Sequence, residues 1–104
     1  MNAVRTAVVG TGHLGKLHAE KYTLIENVDL IAVCDLNRKT GTAVARACDT
    51  AFLKDHCELI GKIDAVTIAT DTSTHFELAR FFLENGDHVL VEKPVSYTHL
   101  KLQT

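Results

Sequence analysis

Val4-Arg5-Thr6-Ala7-Val8-Val9-Gly10-Thr11-Gly12-His13-Leu14-Gly15 decides the fold. A short β-branched run stops abruptly at Gly10, which predicts a central strand over residues 4–9. Beyond the glycines, Leu14, Leu17, His18, Lys21, Tyr22 and Ile25 recur at three- and four-residue spacing, which predicts a helix over about residues 13–24 with those side chains on its buried face. The sequence Gly10-x-Gly12-x-x-Gly15 therefore lies between a strand and a helix. In a dinucleotide-binding unit the first glycine of such a turn makes the tight bend. The second lets the backbone approach a pyrophosphate, and the third lets helix and strand pack closely. The helix start adds free amide donors and a positive dipole end.

The rest of the chain repeats the pattern. A second strand is expected over Val28–Val33, closed by Cys34 and Asp35, and a helix from about Arg38 to Ala47. Ala51-Phe52-Leu53 reads as a very short strand, and Asp55–Ile60 as a helical turn ending at Gly61. Asp64–Thr70 reads as a fully buried strand. Thr74-His75-Phe76-Glu77 has the capping-box pattern of a helix start. That helix is expected to bury Phe76, Ala79, Phe82 and Leu83 and to end at Asn85-Gly86. His88–Val91 is a last strand, stopped by Pro94. Strands alternating with helices through short connections predict an α/β fold, a Rossmann-type doubly wound parallel sheet.

Composition agrees. The chain has 104 residues, 46% of them hydrophobic and only 6% aromatic, with 11 Lys plus Arg against 13 Asp plus Glu. That apolar content excludes a disordered or fibrous chain and fits buried parallel strands with covering helices. A formal net charge of −2 gives no basic footprint for nucleic acid or anionic membrane. The chain has no apolar run long enough to span a bilayer and no signal-peptide pattern at its start, so the expected setting is cytoplasmic. Cys34, Cys48 and Cys57 lack metal-ligand spacing and are expected to be reduced thiols, with Cys34 buried in its strand; no metal site is expected.

Asp35 stands 20 residues after Gly15, at the end of the second strand, where a carboxylate can accept hydrogen bonds from adenosine ribose hydroxyls. It favours NAD, because it would repel the 2′-phosphate of NADP. Arg38 nearby keeps NADP open, since a guanidinium can accommodate a phosphate.

With the glycine turn, Asp35, the stretch Ala69-Thr70-Asp71-Thr72-Ser73-Thr74-His75 and Glu92-Lys93-Pro94, the chain resembles the N-terminal domain of the Gfo/Idh/MocA oxidoreductase family over residues 3–94. The resemblance implies an NAD(P)-dependent dehydrogenase acting on sugars, sugar derivatives or cyclitols. In that family this domain holds the cofactor, and a following domain supplies most substrate contacts. Lys93 matches the family's lysine near the nicotinamide and the reacting hydroxyl, and is the expected catalytic residue. Glu92 matches the ligand of the nicotinamide-ribose hydroxyls. Thr70 and His75 fall on the loop and helix start facing the cofactor, and His13 and Leu14 belong to the turn with Gly10, Thr11, Gly12 and Gly15. His18 matches a common family histidine and is read as a packing residue. Asp71 departs from the family, which more often has Pro there. Residues 12–22 look most like the UDP-N-acetylglucosamine 3-dehydrogenase-like members, so a sugar or sugar nucleotide is the expected substrate.

After Pro94 the resemblance stops. Val95-Ser96-Tyr97-Thr98-His99-Leu100 resembles one reading frame of a sequencing-library adapter, so residues 95–104 are expected to be a non-native tail, a native loop and early strand being the alternative. The expectation is thus an incomplete cofactor domain over residues 1–94, truncated before its substrate domain and inactive alone, from a full-length parent expected to be a homo-oligomer. Two other functions stay open: a non-catalytic NAD(P)-binding sensor, and a biliverdin- or dihydrodipicolinate-reductase-like enzyme.

Overall fold

The apolar runs become a five-stranded, all-parallel sheet in a computed structural model that describes residues 3–91. The elements are β1 (Val4–Val9), α1 (His13–Tyr22), β2 (Val28–Cys34), α2 (Arg38–Ala47) and β3 (Ala51–Leu53). A 3₁₀ turn (His56–Leu59), β4 (Ala65–Ile68), α3 (Thr72–Glu84) and β5 (His88–Val91) follow. The strand order is β3-β2-β1-β4-β5, so the chain leaves β1 in one direction and returns to its other side at β4. That reversal is the switch point at which a doubly wound sheet opens a crevice beyond the C-terminal ends of its strands. Val9 pairs with Cys34 on one side and Ile68 on the other, and Ile68 with Val91, so those ends share one edge of the sheet.

Strand alternation divides the core between the two faces. Ala7, Val9, Ala32, Cys34, Val66 and Ile68 meet Leu59, Ile63 and Phe82 on one side. Val8 and Val33 meet Ala19, Val44 and Ala45 on the other. Phe81 and Phe82 stack edge-on at 5.1 Å, and His56 packs edge-on against Phe81 at 5.0 Å, which joins the 3₁₀ turn to α3. Cys34 is buried, as its strand position predicts, and burial pushes its thiol up to about 12. No helix among the described residues is long and apolar enough to cross a membrane.

Several expectations need correcting. Helix α1 ends at Tyr22, two residues early, because the Thr23 hydroxyl donates to the Glu20 carbonyl and the chain turns toward Asn27 at φ +67°. Its buried face is Gly15 and Ala19, whereas Leu17 and Ile25 are exposed. The helix lies too close to the sheet for a leucine to fit between them. Strand β4 is shorter than predicted, spanning Ala65–Ile68.

Helix α3 begins at Thr72 with Asp71 as its N-cap residue, so the capping box expected at Thr74 does not form; the Thr74 hydroxyl instead donates back to the Asp71 carbonyl. Its core stripe is Leu78, Ala79, Phe81 and Phe82, leaving Phe76 73% and Leu83 59% exposed. The aromatic cluster with His56 sets this rotation, and spacing along one helix does not encode it.

At the opposite end of the sheet, Asp87 is buried with Oδ2 lacking a hydrogen-bond partner among the described residues. Burial raises its carboxyl above the usual value and Asp64 adds to this, with Arg5 and His88 opposing. A carboxyl raised in the fold stabilises the protein fully below its unfolded value, and that contribution is lost as pH rises through the folded value. Asp87→Asn should therefore raise the thermal midpoint at pH 7 by at least roughly 4 °C, the scale of burying an unpaired polar atom in a small domain. The gap should close near pH 4, read by circular dichroism melts across pH.

Candidate cofactor site

The switch point holds a cleft of about 970 Å³, at the upper end of the range for ligand sites. Its floor is the glycine turn. Gly10 has φ +100°, a left-handed conformation, and a Cβ there would lie 2.7 Å from the Ala69 carbonyl carbon. A Cβ on Gly15 would lie 1.7 Å from the Gly10 carbonyl oxygen. Both glycines are thus required by backbone packed on backbone. Gly12 differs, since a Cβ there would meet nothing within 4 Å. The space above it is the kind of opening a pyrophosphate needs, and the first amides of α1 lack intrahelical partners and point that way.

Hydrogen bonds between neighbouring strand ends fix the rim: the Gly10 amide donates to the Cys34 carbonyl, the Ala69 amide to Val9 and the Asp35 amide to Leu53. Asp35 Oδ2 accepts from the Thr11 amide at 2.8 Å and the Thr11 hydroxyl at 2.7 Å, and Oδ1 accepts from the Asn37 amide at 2.8 Å. Burial acts to raise the Asp35 carboxyl, but these hydrogen bonds outweigh it and hold the group below its usual value, ionised at neutral pH. Opposite, the Thr70 and Thr74 hydroxyls lie 2.6 Å apart. His75 Nε2 lies 2.7 Å from the Thr70 carbonyl oxygen, which can only accept, so Nε2 carries the proton.

The cleft brings together Gly10, Thr11, Gly12, His13, Leu14, Asp35 and Thr70 from the sequence-derived set. Gly15 lies beneath the turn. Arg38 does not line the cleft; its guanidinium sits 5.9 Å from the centre of the Phe52 ring. His75 braces the Thr70 backbone from the side. Glu92 and Lys93 lie outside the described residues. Sequence reasoning missed His56 and the apolar Leu36, Leu78 and Phe81, which also line the cleft. Only Leu36 carried a local signal, an apolar residue directly after the acidic strand end, and it is 82% exposed.

A parallel sheet with a glycine turn and an ionised carboxylate at its switch point defines a dinucleotide-binding Rossmann domain. The model of the Gfo/Idh/MocA family, an oxidoreductase family with an NAD-binding Rossmann fold, matches residues 4–103. The chain belongs to that family, and NAD is the cofactor of this domain. The chain is 41% identical over 91 residues to UDP-N-acetylglucosamine 3-dehydrogenase of Acidithiobacillus ferrooxidans, covering 88% of this chain and 28% of the relative. An inositol 2-dehydrogenase of Rhizobium meliloti is 35% identical over 94 residues, again with 88% and 28% covered. Among solved structures, GenD2 from gentamicin A biosynthesis, in complex with NAD, superposes with a TM-score of 0.86 at 33% identity, covering 91% of this chain and 28% of that one. The chain thus spans less than a third of the length of these relatives.

The glycines should separate fold from binding. Gly15→Ala should destabilise the domain by more than about 3 kcal/mol, because a backbone contact must open. Gly12→Ala should leave stability within about 1 kcal/mol while weakening NADH binding at least about tenfold by blocking the approach to the pyrophosphate. Denaturant unfolding and NADH fluorescence titration check the pair.

Proposed function

We propose that this domain is the cofactor-holding part of an NAD-dependent dehydrogenase that moves hydride between a hydroxyl-bearing carbon of a sugar or sugar nucleotide and nicotinamide. The observation that carries the reading is the ionised Asp35 carboxylate, held at the end of β2 on the rim of the cleft whose floor is the glycine turn. Similarity to a sugar-nucleotide dehydrogenase and to inositol dehydrogenases supports the substrate class.

In this reading the amides of the α1 first turn bind the pyrophosphate, Asp35 accepts from the adenosine ribose, and Thr70 with the braced α3 start borders the nicotinamide side. Bound nicotinamide supplies the hydride acceptor. Strand β5 ends at Val91, paired with Ile68 on the edge that carries the turn, and Glu92 and Lys93 are the next two residues in sequence. Glu92 accepts from the nicotinamide-ribose hydroxyls. The Lys93 ammonium donates to the substrate oxygen and stabilises the negative charge that grows there as the hydroxyl proton leaves. Asp35 excludes a 2′-phosphate by charge, which favours NAD over NADP.

Two measurements test this. Asp35→Ala should weaken NADH binding about tenfold or more and leave NADPH binding little changed, read by fluorescence titration; equal affinity of the unmutated protein for both would end the NAD preference. In the protein expressed from its complete open reading frame, Lys93→Ala should lower kcat by at least about 10²-fold with sugar-nucleotide or inositol substrates and leave NADH affinity nearly unchanged. Turnover unaffected by the substitution would remove Lys93 from the chemistry.

A further inference from the structure

Thr11 is the variable residue between the first two glycines, a position where the turn itself demands nothing of a side chain. Yet it is only 1% exposed, and both of its donors are spent on one atom: the amide and the hydroxyl reach Asp35 Oδ2 at 2.8 and 2.7 Å. A carboxylate oxygen has two lone pairs, so Thr11 fills Oδ2 and leaves the acceptor capacity of the group on Oδ1, which also takes the Asn37 amide at 2.8 Å. The carboxylate is therefore fixed between the glycine turn and the α2 start before any ligand arrives.

We propose that Thr11 determines the choice between NAD and NADP by holding the Asp35 carboxylate in place beside the adenosine ribose. This rests on the reading that Asp35 receives that ribose. A carboxylate excludes a 2′-phosphate only if it cannot swing aside, and here swinging aside breaks three hydrogen bonds to ionised oxygen, the stronger class. Without the Thr11 hydroxyl, Asp35 keeps two amide donors. It can then turn from the ribose, and its charge no longer stands where a 2′-phosphate would lie. Gly41 contributes to the same packing. A Cβ there would lie 2.2 Å from the Phe52 ring and 3.3 Å from the Asp35 Cβ, so α2 presses directly on the ring and the carboxylate stem. Thr11 is thus a positioning residue acting through Asp35.

Thr11→Val keeps the shape and removes the hydroxyl, and Thr11→Ser keeps the hydroxyl. The full chain and both variants would be titrated with NADH and NADPH, and the Asp35 carboxyl followed by ¹³C NMR across pH. The expected result for Thr11→Val is an NADH-over-NADPH affinity ratio lowered about tenfold, the scale of one hydrogen bond to a charged group, with the Asp35 carboxyl moving up toward its usual value. Thr11→Ser should retain the original ratio and the original titration. Should Thr11→Val lose its folded circular dichroism signal, Thr11→Ala takes its place with the same expectation. An unchanged ratio in the hydroxyl-free variant overturns the role of Thr11 and leaves the cofactor reading intact, as does a ratio lost equally in Thr11→Ser. An unmutated chain that binds both dinucleotides equally overturns the NAD preference assigned to Asp35 and this inference with it, and one that binds neither overturns the cofactor reading as well.

Discussion

The structure depends on one contact that contains no side chain: the first turn of α1 resting on the C-terminal end of β1. Gly15 abuts the Gly10 carbonyl, and Gly10 in turn abuts the Ala69 carbonyl where the chain leaves β4. Three elements therefore meet through backbone alone, at the point where the strand order reverses. The helix can lie this close only because Gly15 and Ala19 face the sheet, and Tyr22 then reaches across to place its hydroxyl against that of Thr67 in β4. The same approach aims the amide end of α1 into the cleft. Close packing and the aim of the helix start into the cleft thus have a single geometric cause, and a methyl group at Gly15 interferes with both.

This contact also explains which parts of the fold were legible in the sequence. Strands β1 and β2 were plain because a buried strand end reads as an apolar run, and residues 6–9 and 32–34 are buried; β5 was legible as a short apolar run although its residues alternate between exposed and half-buried. The existence of α1 and α3 was equally plain. Their orientation was not, because periodicity assumes that the bulky side chains are the buried ones. In α1 the small residues are buried and Leu17 is exposed; in α3 the Phe81 and Phe82 cluster with His56 turns the helix so that Phe76 faces outward. Both outcomes follow from partners distant in sequence.

The site divides along the same line. The turn and Asp35 were legible because each is a local arrangement: a glycine spacing, and an acidic residue at a strand end. Arg38 was read from proximity in sequence, and the helical start at α2 carries its guanidinium over Phe52 and away from the cleft lining. The family resemblance puts His75 on the helix start facing the cofactor, and its imidazole turns back to the Thr70 carbonyl in a helix α3 whose N-cap lies three residues earlier than the capping-box pattern implies. Leu78 and Phe81 line the cleft only because the crossover after β4 lays α3 beside it. No spacing rule within one element contains that information.

Fixing Asp35 before a ligand binds has an energetic consequence. A carboxylate free to rotate would lose conformational freedom on taking up a ribose hydroxyl, and that loss subtracts from affinity. Here the ordering is completed during folding, by donors on Thr11 and Asn37 that are themselves fixed by the turn and by the start of α2. The hydrogen bonds that depress the Asp35 carboxyl keep it charged at neutral pH, so in the proposed role its acceptor strength and its repulsion of a phosphate would both be constant over the physiological range. Recognition at this end of the cleft is therefore rigid and insensitive to pH. The exposed Leu36 beside it makes no such directional demand, because an apolar contact depends on buried area and not on angle. On the proposed reading, selectivity between the two dinucleotides rests on Asp35 and on the threonine that holds it.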